Sequence, residues 1–314
     1  MRQFIMDYKQ FSARLAKGIE NGFGGPIRAC VMKAPFFDFL EVAIDVPDNK
    51  GKIASYCQRI NIRCFYERHL SGEPLGGIME SLMRELEDIF GGHALEAKIK
   101  VIEDLHVYEK ISSRLFIRMQ PYGASNLKDV ALRRVGDMAM VLNVLADNTP
   151  KSKTSLKIPL SILHEWGLGK DMAIDRALET SCKMFPPRLI AKELYEQGTI
   201  RIDERYDFLS SSRFKLQKSQ IETYTLTNAD GLDGASSIFY PMAARKIQMI
   251  FKEDYYILPA SVNELTLRPA SSMTVSFARG MAAVACVNPK LAEDEFLSSQ
   301  LYKYISAKDS IQAI

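Results

Sequence analysis

An α+β fold, with a mainly antiparallel sheet flanked by helices, is what this sequence predicts, and three observations carry the prediction. Hydrophobic residues make up 47% of the 314 positions, enough to fill a real core without metal or disulfide staples. Helical periodicity marks separate segments, whereas the alternating segments come in hairpin-like neighbours rather than in regular strand–helix alternation. Asp-Gly pairs, which favour turns, lie among those neighbours.

Taken in order, Phe4, Tyr8, Phe11, Leu15 and Ile19 share one helical face, predicting a helix that stops before Gly22, Gly24 and Gly25. From Phe39 to Val46, apolar Phe39, Val42, Ile44 and Val46 alternate imperfectly with Glu41 and Asp45, which predicts a half-buried strand closed by a turn at Pro47-Asp48-Asn49. The clearest helix begins near Pro74 and carries Leu75, Ile78, Met79, Leu82, Met83, Leu86, Ile89 and Phe90 in one stripe. It ends at Gly91-Gly92. That glycine pair is the predicted break between an amino-terminal α/β region, residues 1–92, and a larger α+β region, residues 93–314.

Beyond it, Arg114 to Met119 is rich in strand formers, and so is Val130 to Leu145, although the periodicity of the second also fits a buried helix. A helix is predicted from Asp171 to Met184, closed by Pro186 and Pro187, with a short one around Ala191 to Glu196. After a loop at Ser210-Ser211-Ser212, Ile221 to Thr227 alternates as a strand. Turns at Asp230-Gly231 and Asp233-Gly234, a helix from Pro241 to Phe251, strands Tyr255 to Leu258 and Leu265 to Leu267, and a closing helical segment complete the prediction.

Charge and cysteine content narrow the setting more than the function. Lys plus Arg exceed Asp plus Glu by 41 − 38 = 3, too small a surplus to attract polyanions strongly. The five cysteines, Cys30, Cys57, Cys64, Cys182 and Cys286, are odd in number, scattered and never paired as Cys-x-x-Cys, as expected of free thiols in a reducing cytosol. The apolar stretch after Arg2 is interrupted by Asp7, Lys9 and Gln10 before it reaches signal-peptide length. The longest nearly apolar run, Met138 to Ala146, falls far short of the roughly 20 residues that span a bilayer. A cytoplasmic chain without a membrane segment is the expectation.

Catalytic and metal motifs fail on inspection. His164-Glu165 begins a zinc-hydrolase pattern, but Leu168 stands where the second ligand belongs. Gly167-Leu168-Gly169-Lys170 lacks both the opening glycine and the hydroxyl of a phosphate loop. Counting an EF-hand from Asn228 through Asp230 and Asp233 puts Leu232 at a ligand position and Phe239 at the bidentate one, so a turn is the simpler reading. His69, His93, His106 and His164 form no metal spacing with the cysteines, and no Gly-x-Ser-x-Gly elbow is present. No cofactor or metal is expected. The best case for nucleic acid is Arg213, Lys215 and Lys218 lining one face of an extended segment while Phe214 and Leu216 turn inward, with Lys151, Lys153 and Lys157 extending it. No base-reading motif accompanies them. Trp166, the only tryptophan, most simply caps a core at the end of an element.

A set of longer words remains: Phe65-Tyr66-Glu67 before the Pro74 helix, Trp166-Gly167, Ala177-Leu178 and Phe185-Pro186. Further on come Tyr224-Thr225-Leu226-Thr227-Asn228 with Gly231, Gly234-Ala235 and Tyr240-Pro241, then Ile257 to Glu264, and Asn288 to Ser298 with Tyr302 and Tyr304. Together they resemble a family of unknown function common in gut anaerobic bacteria and often found on conjugative or phage-like elements. Where that family commonly carries His beside Glu, this chain carries Asn263 beside Glu264, which removes a titrating group.

Trp166, Asn228, Gly231, Gly234, Tyr240, Pro241, Pro259, Ser261 and Glu264 are the motif residues to which the resemblance assigns importance. Physically each also serves the fold: Asn228 caps a turn, the glycines permit special angles, and Pro241 suits the first position of a helix. The resemblance implies a non-enzymatic accessory protein of a mobile element, acting on a protein partner and inhibiting or tuning a host or defence complex. Two alternatives compete with it. One is an enzyme assembled from Asn228, Asp230, Ser261 and Glu264; the other is a nucleic-acid binder using the basic segments.

Overall fold

The computed structural model describes residues 6–23, 27–33, 38–47, 53–90, 100–148, 153–196, 202–259, 261–285 and 295–314. It is α+β with antiparallel sheets, and the contacts divide the chain into two units: residues 1–105 with 146–154, and residues 106–145 with 155–314. Gly91 and Gly92 lie outside the described residues.

In the first unit α1 (Tyr8–Phe23) buries Phe11, Leu15 and Ile19, the stripe its periodicity predicts. The helix runs through Gly22 rather than stopping before it. Packing explains this, because a β-carbon at Gly22 would lie 2.6 Å from Met83 Cε, and Gly18 one turn earlier is filled in the same way by Met79. Both methionines belong to α3 (Leu75–Phe90), whose Ile78, Leu82 and Leu86 are buried, while α2 (Ile62–Leu70) buries Ile62 and Phe65. A three-stranded antiparallel sheet, β1 (Ile27–Lys33), β2 (Asp38–Pro47) and β3 (Ile53–Asn61), sits with them and contributes Leu40 and Val42 to the core. His69 is buried beside the Phe11 ring; its Nε2 accepts from Met6 N at 3.3 Å and its Nδ1 lies 3.1 Å from Glu73 O, which selects the Nδ1–H tautomer.

The second unit holds two sheets. In one, β4 (Leu115–Pro121), β6 (Met138–Asn148) and β5 (Leu132–Val135) lie side by side, and β7 (Lys153–Lys157) pairs with β6. The ambiguous stretch from Val130 to Leu145 is therefore a hairpin, because Gly136 at φ +62° turns the chain tightly between β5 and β6. Asp137, beside that turn, accepts from Tyr302 Oη at 2.5 Å and from Ser298 Oγ at 2.7 Å. Burial and the carboxylate push the Tyr302 hydroxyl up to about 12.

Helix α4 (Tyr108–Ile111) precedes the sheet, α5 (Leu160–Glu165) and α6 (Lys170–Met184) follow it, and α6 packs on β4 with Ala173, Ile174, Ala177 and Leu178 buried. Its buried Ser181 Oγ donates to Ala177 O at 2.6 Å and accepts from Ile117 N at 2.9 Å, so one hydroxyl joins helix to strand. The second sheet is six-stranded and antiparallel in the order β13, β12, β10, β11, β9, β8. Its strands are β8 (Pro187–Ala191), β9 (Tyr224–Asn228), β10 (Tyr255–Leu258), β11 (Leu265–Pro269), β12 (Tyr302–Ile305) and β13 (Ser310–Ala313).

Three more helices complete this unit: α7 (Lys192–Glu196), α8 (Ala243–Phe251) and α9 (Val275–Ala285). The closing segment differs from the prediction. It is helical only through α9 and ends in the β12–β13 hairpin, which turns at Asp309, φ +46°, and sets Tyr302 and Tyr304 inward in alternation. Likewise Pro241 does not open α8. Met242, at φ +65°, intervenes and the helix starts at Ala243.

Candidate functional site

Alternation along β9 and β11 puts Leu226, Leu265, Leu267 and Ile257 on one face of the six-stranded sheet and gathers Thr225, Thr227 and Thr266 into a polar patch on the other, where Ile190 and Leu258 are their register partners. At the end of this patch the two motif blocks meet. Thr227 Oγ1 donates to Asn263 O at 2.8 Å, Ala235 N to Val262 O at 3.1 Å, and Asp233 N to Asn263 Oδ1 at 3.0 Å. Asn263 Nδ2 in turn donates to Glu295 Oε1 at 2.9 Å.

Asn228, Gly231 and Gly234 are consumed in holding the junction. Asn228 Nδ2 donates to Leu232 O at 2.7 Å and its Oδ1 accepts from Asp230 N at 3.0 Å, while Gly231 takes φ +71°. At Gly234 a β-carbon would lie 2.5 Å from Asn263 O and 2.8 Å from Asn228 N, so only glycine lets the blocks approach. Ser261 Oγ accepts from Asn263 N at 3.0 Å, and Pro259 O accepts from Ser298 N at 2.9 Å. Tyr240 is buried against Ser236, 3.4 Å away, with its hydroxyl pushed up by burial. Pro241 is exposed in the turn before α8. Trp166 sits apart at the end of α5, its ring 5.4 Å from that of Tyr108.

Glu264 is the motif carboxyl whose acidity is perturbed. It is partly buried and hydrogen-bonded to Tyr195. Burial raises its pKa, the Tyr195 hydroxyl and Lys192 oppose the rise, and Glu196 and Glu295 add to it. Burial and the Glu264 carboxylate push Tyr195 upward too, while a hydrogen bond with Thr227 opposes the rise. Lys192 Nζ donates to Thr266 Oγ1 at 3.1 Å and lies 3.5 Å from Glu196. Chemically, a carboxyl held above its ordinary range beside a phenol and an ammonium can take up and return a proton. The sequence singled out Glu264 and carried Thr227 in a motif word, but not Tyr195 or Lys192; the legible signal was threonine at alternate positions of β9, a polar patch that needs polar partners.

The enzyme constellation is split by this geometry. Asn228 and Asp230 lie in the turn, and Ser261 accepts within its own loop, whereas Glu264 belongs with Tyr195 on α7. Among the basic candidates, Lys151 lies outside the described residues. Arg213, Lys215 and Lys218 are exposed, with Phe214 and Leu216 more covered and the Phe214 ring 6.3 Å from that of Phe208, but the segment joins no sheet. Lys153 belongs to the first unit; Lys157, in the second, donates to Asn126 O at 3.2 Å. Among the described residues no group of three or more His, Cys, Asp or Glu side chains comes together as metal ligands, and no helix is long and apolar enough to cross a membrane.

No curated protein and no solved structure matches the chain. A family model does, over residues 43–306, an interval that contains both meeting blocks, Glu264 and the whole β8–β12 part of the sheet. With the greater part of its length so matched, the chain belongs to a family of unknown function, DUF5688.

Proposed function

We propose that this is a non-enzymatic accessory protein of a bacterial mobile element, working in the cytoplasm by binding a protein partner. The observation that carries the reading is α9. Ala278 and Ala282 bury one side of this helix against Tyr256, Leu258 and Leu301, while Phe277 (60% exposed) and Val284 (68%) stand open with Met281 between them. These three line a groove of about 690 Å³ with Thr274, Ser276 and Gly280. An apolar stripe at helical spacing on a solvent face is what a protein interface offers. The free thiols Cys30 and Cys182 support the cellular part of the proposal.

A tagged pull-down from bacterial lysate, at low and moderate salt, tests it with wild type beside Phe277→Asp and Val284→Asp. The expected result is a stoichiometric, salt-resistant protein partner lost in both variants while their melting temperatures stay near wild type. Recovery of nucleic acid that washes off with salt would replace the reading with binding through Arg213, Lys215 and Lys218.

A second reading rests on the Glu264–Tyr195 pair as a proton-transfer site. It predicts an activity whose pH profile shifts in Glu264→Gln and disappears in no α9 variant.

A further inference from the structure

Beneath the junction of the motif blocks lies a cleft of about 310 Å³, in the size range of small-molecule sites. β4 supplies Arg118, Gln120 and Pro121; Asn126 comes from the following turn, and Val262 and Phe296 close the other side. Its lining is more polar than apolar: Arg118, Gln120 and Asn126 supply groups that can fix a ligand's orientation, and Val262 and Phe296 supply an apolar side.

Arg118 is anchored at one edge only. Its Nε lies 2.7 Å from Asp233 Oδ1, and its side chain remains 39% exposed. Among the described residues no other hydrogen bond engages the guanidinium, so its terminal nitrogens are available as a planar pair of donors. Gln120 supplies the second anchor, because its Oε1 is buried without a hydrogen-bond partner. Rotation about the soft terminal torsion of the amide brings that acceptor, or the amide N–H, to a group in the cleft. At the rim, Lys157 Nζ donates to Asn126 O at 3.2 Å.

We propose that this cleft binds a small carboxylic acid that carries an N–H donor next to its carboxylate. Arg118 takes the carboxylate through its fork, which matches that planar anion. Gln120 Oε1 accepts the donor, and Phe296 covers the apolar part of the molecule. The site is independent of α9 and of the protein-binding reading.

Isothermal titration calorimetry on the full chain tests it with N-benzoylglycine, its uncharged amide N-benzoylglycinamide, and the N-methylated acid that lacks the donor. The expected dissociation constant for N-benzoylglycine is about 1 mM or tighter. Loss of charge or of the donor should each weaken binding about tenfold, and so should Arg118→Gln and Gln120→Leu. Because Arg118→Gln also breaks the Asp233 contact, Gln120→Leu, whose change removes an unpartnered group and leaves the fold intact, is the deciding variant. A glycine-terminated hexapeptide should bind less tightly than N-benzoylglycine, since the cleft holds little more than the small acid. Absence of heat at about 10 mM ligand, equal binding of acid and amide, unchanged binding in Gln120→Leu, or tighter binding of the peptide would each overturn the proposal.

Discussion

At the scale of single residues, glycine and glutamate positions carry the clearest consequences. Gly234→Ala forces a β-carbon into the backbone of both motif blocks, and backbone cannot step aside as a flexible side chain does. It should cost about 3 kcal/mol or more, read by urea unfolding. Gly231→Ala meets nothing within 4 Å and pays only for its φ of +71°, so about 1 kcal/mol is expected there. Equal costs at the two sites would show that the junction is not tight. At Glu264 the sign follows from a raised folded-state pKa. Its carboxyl holds its proton in the folded chain at pH values where the unfolded chain has released it. The stability this confers is complete below the ordinary carboxylate value and is lost as pH climbs through the raised one. Glu264→Gln keeps an acceptor for Tyr195 and removes the titration. The melting temperature of the variant relative to wild type should therefore rise as pH goes from about 4 to about 8. A constant difference across that range would deny Glu264 its raised value.

Between elements, the α6–β4 contact depends on one hydroxyl. Ser181→Ala leaves Ile117 N buried without an acceptor, for which about 1–3 kcal/mol is the expected loss by chemical denaturation. Thr180 next to it bonds, among the described residues, Arg176 O on its own helix, and Thr180→Ala should stay within about 0.5 kcal/mol. The sequence marks the span of α6, and the structure turns Ala173, Ile174, Ala177 and Leu178 inward. A serine on that inward face looked like an ordinary helix residue, because the strand amide it satisfies lies 64 positions away. The β5–β6 hairpin shows the complementary case: Val130 to Leu145 is apolar almost throughout, so periodicity could not separate strand from buried helix, and the ladder with β4 decided it.

On the scale of the whole molecule, two units with separate cores should not melt as one. Phe11, Leu15, Ile19, Leu82 and Leu86 belong to the first, and Ala177, Leu226, Leu267 and Tyr302 to the second. Scanning calorimetry should give a calorimetric enthalpy larger than the van't Hoff value. Leu82→Ala, which deletes a fully buried side chain, should lower the first unit's transition by about 2–5 kcal/mol and leave the other in place. A single transition displaced as a whole would make the two units one cooperative body.

By itself the sequence determined the α+β class, the helices α1, α3 and α6 and the strands β2, β9, β10 and β11, because each is written in the spacing of neighbours along the chain. It also marked Asn228, Gly231, Gly234 and Glu264 as members of one motif set. What those residues do was decided by tertiary structure. Only folding sets Asn263 O against Thr227 and Gly234, Tyr195 against Glu264, and Arg118 against Asp233, and each pairing spans tens of residues. Periodicity records which face of an element is buried, but burial is blind to which distant polar group waits there, and the chemistry of this protein resides in those encounters.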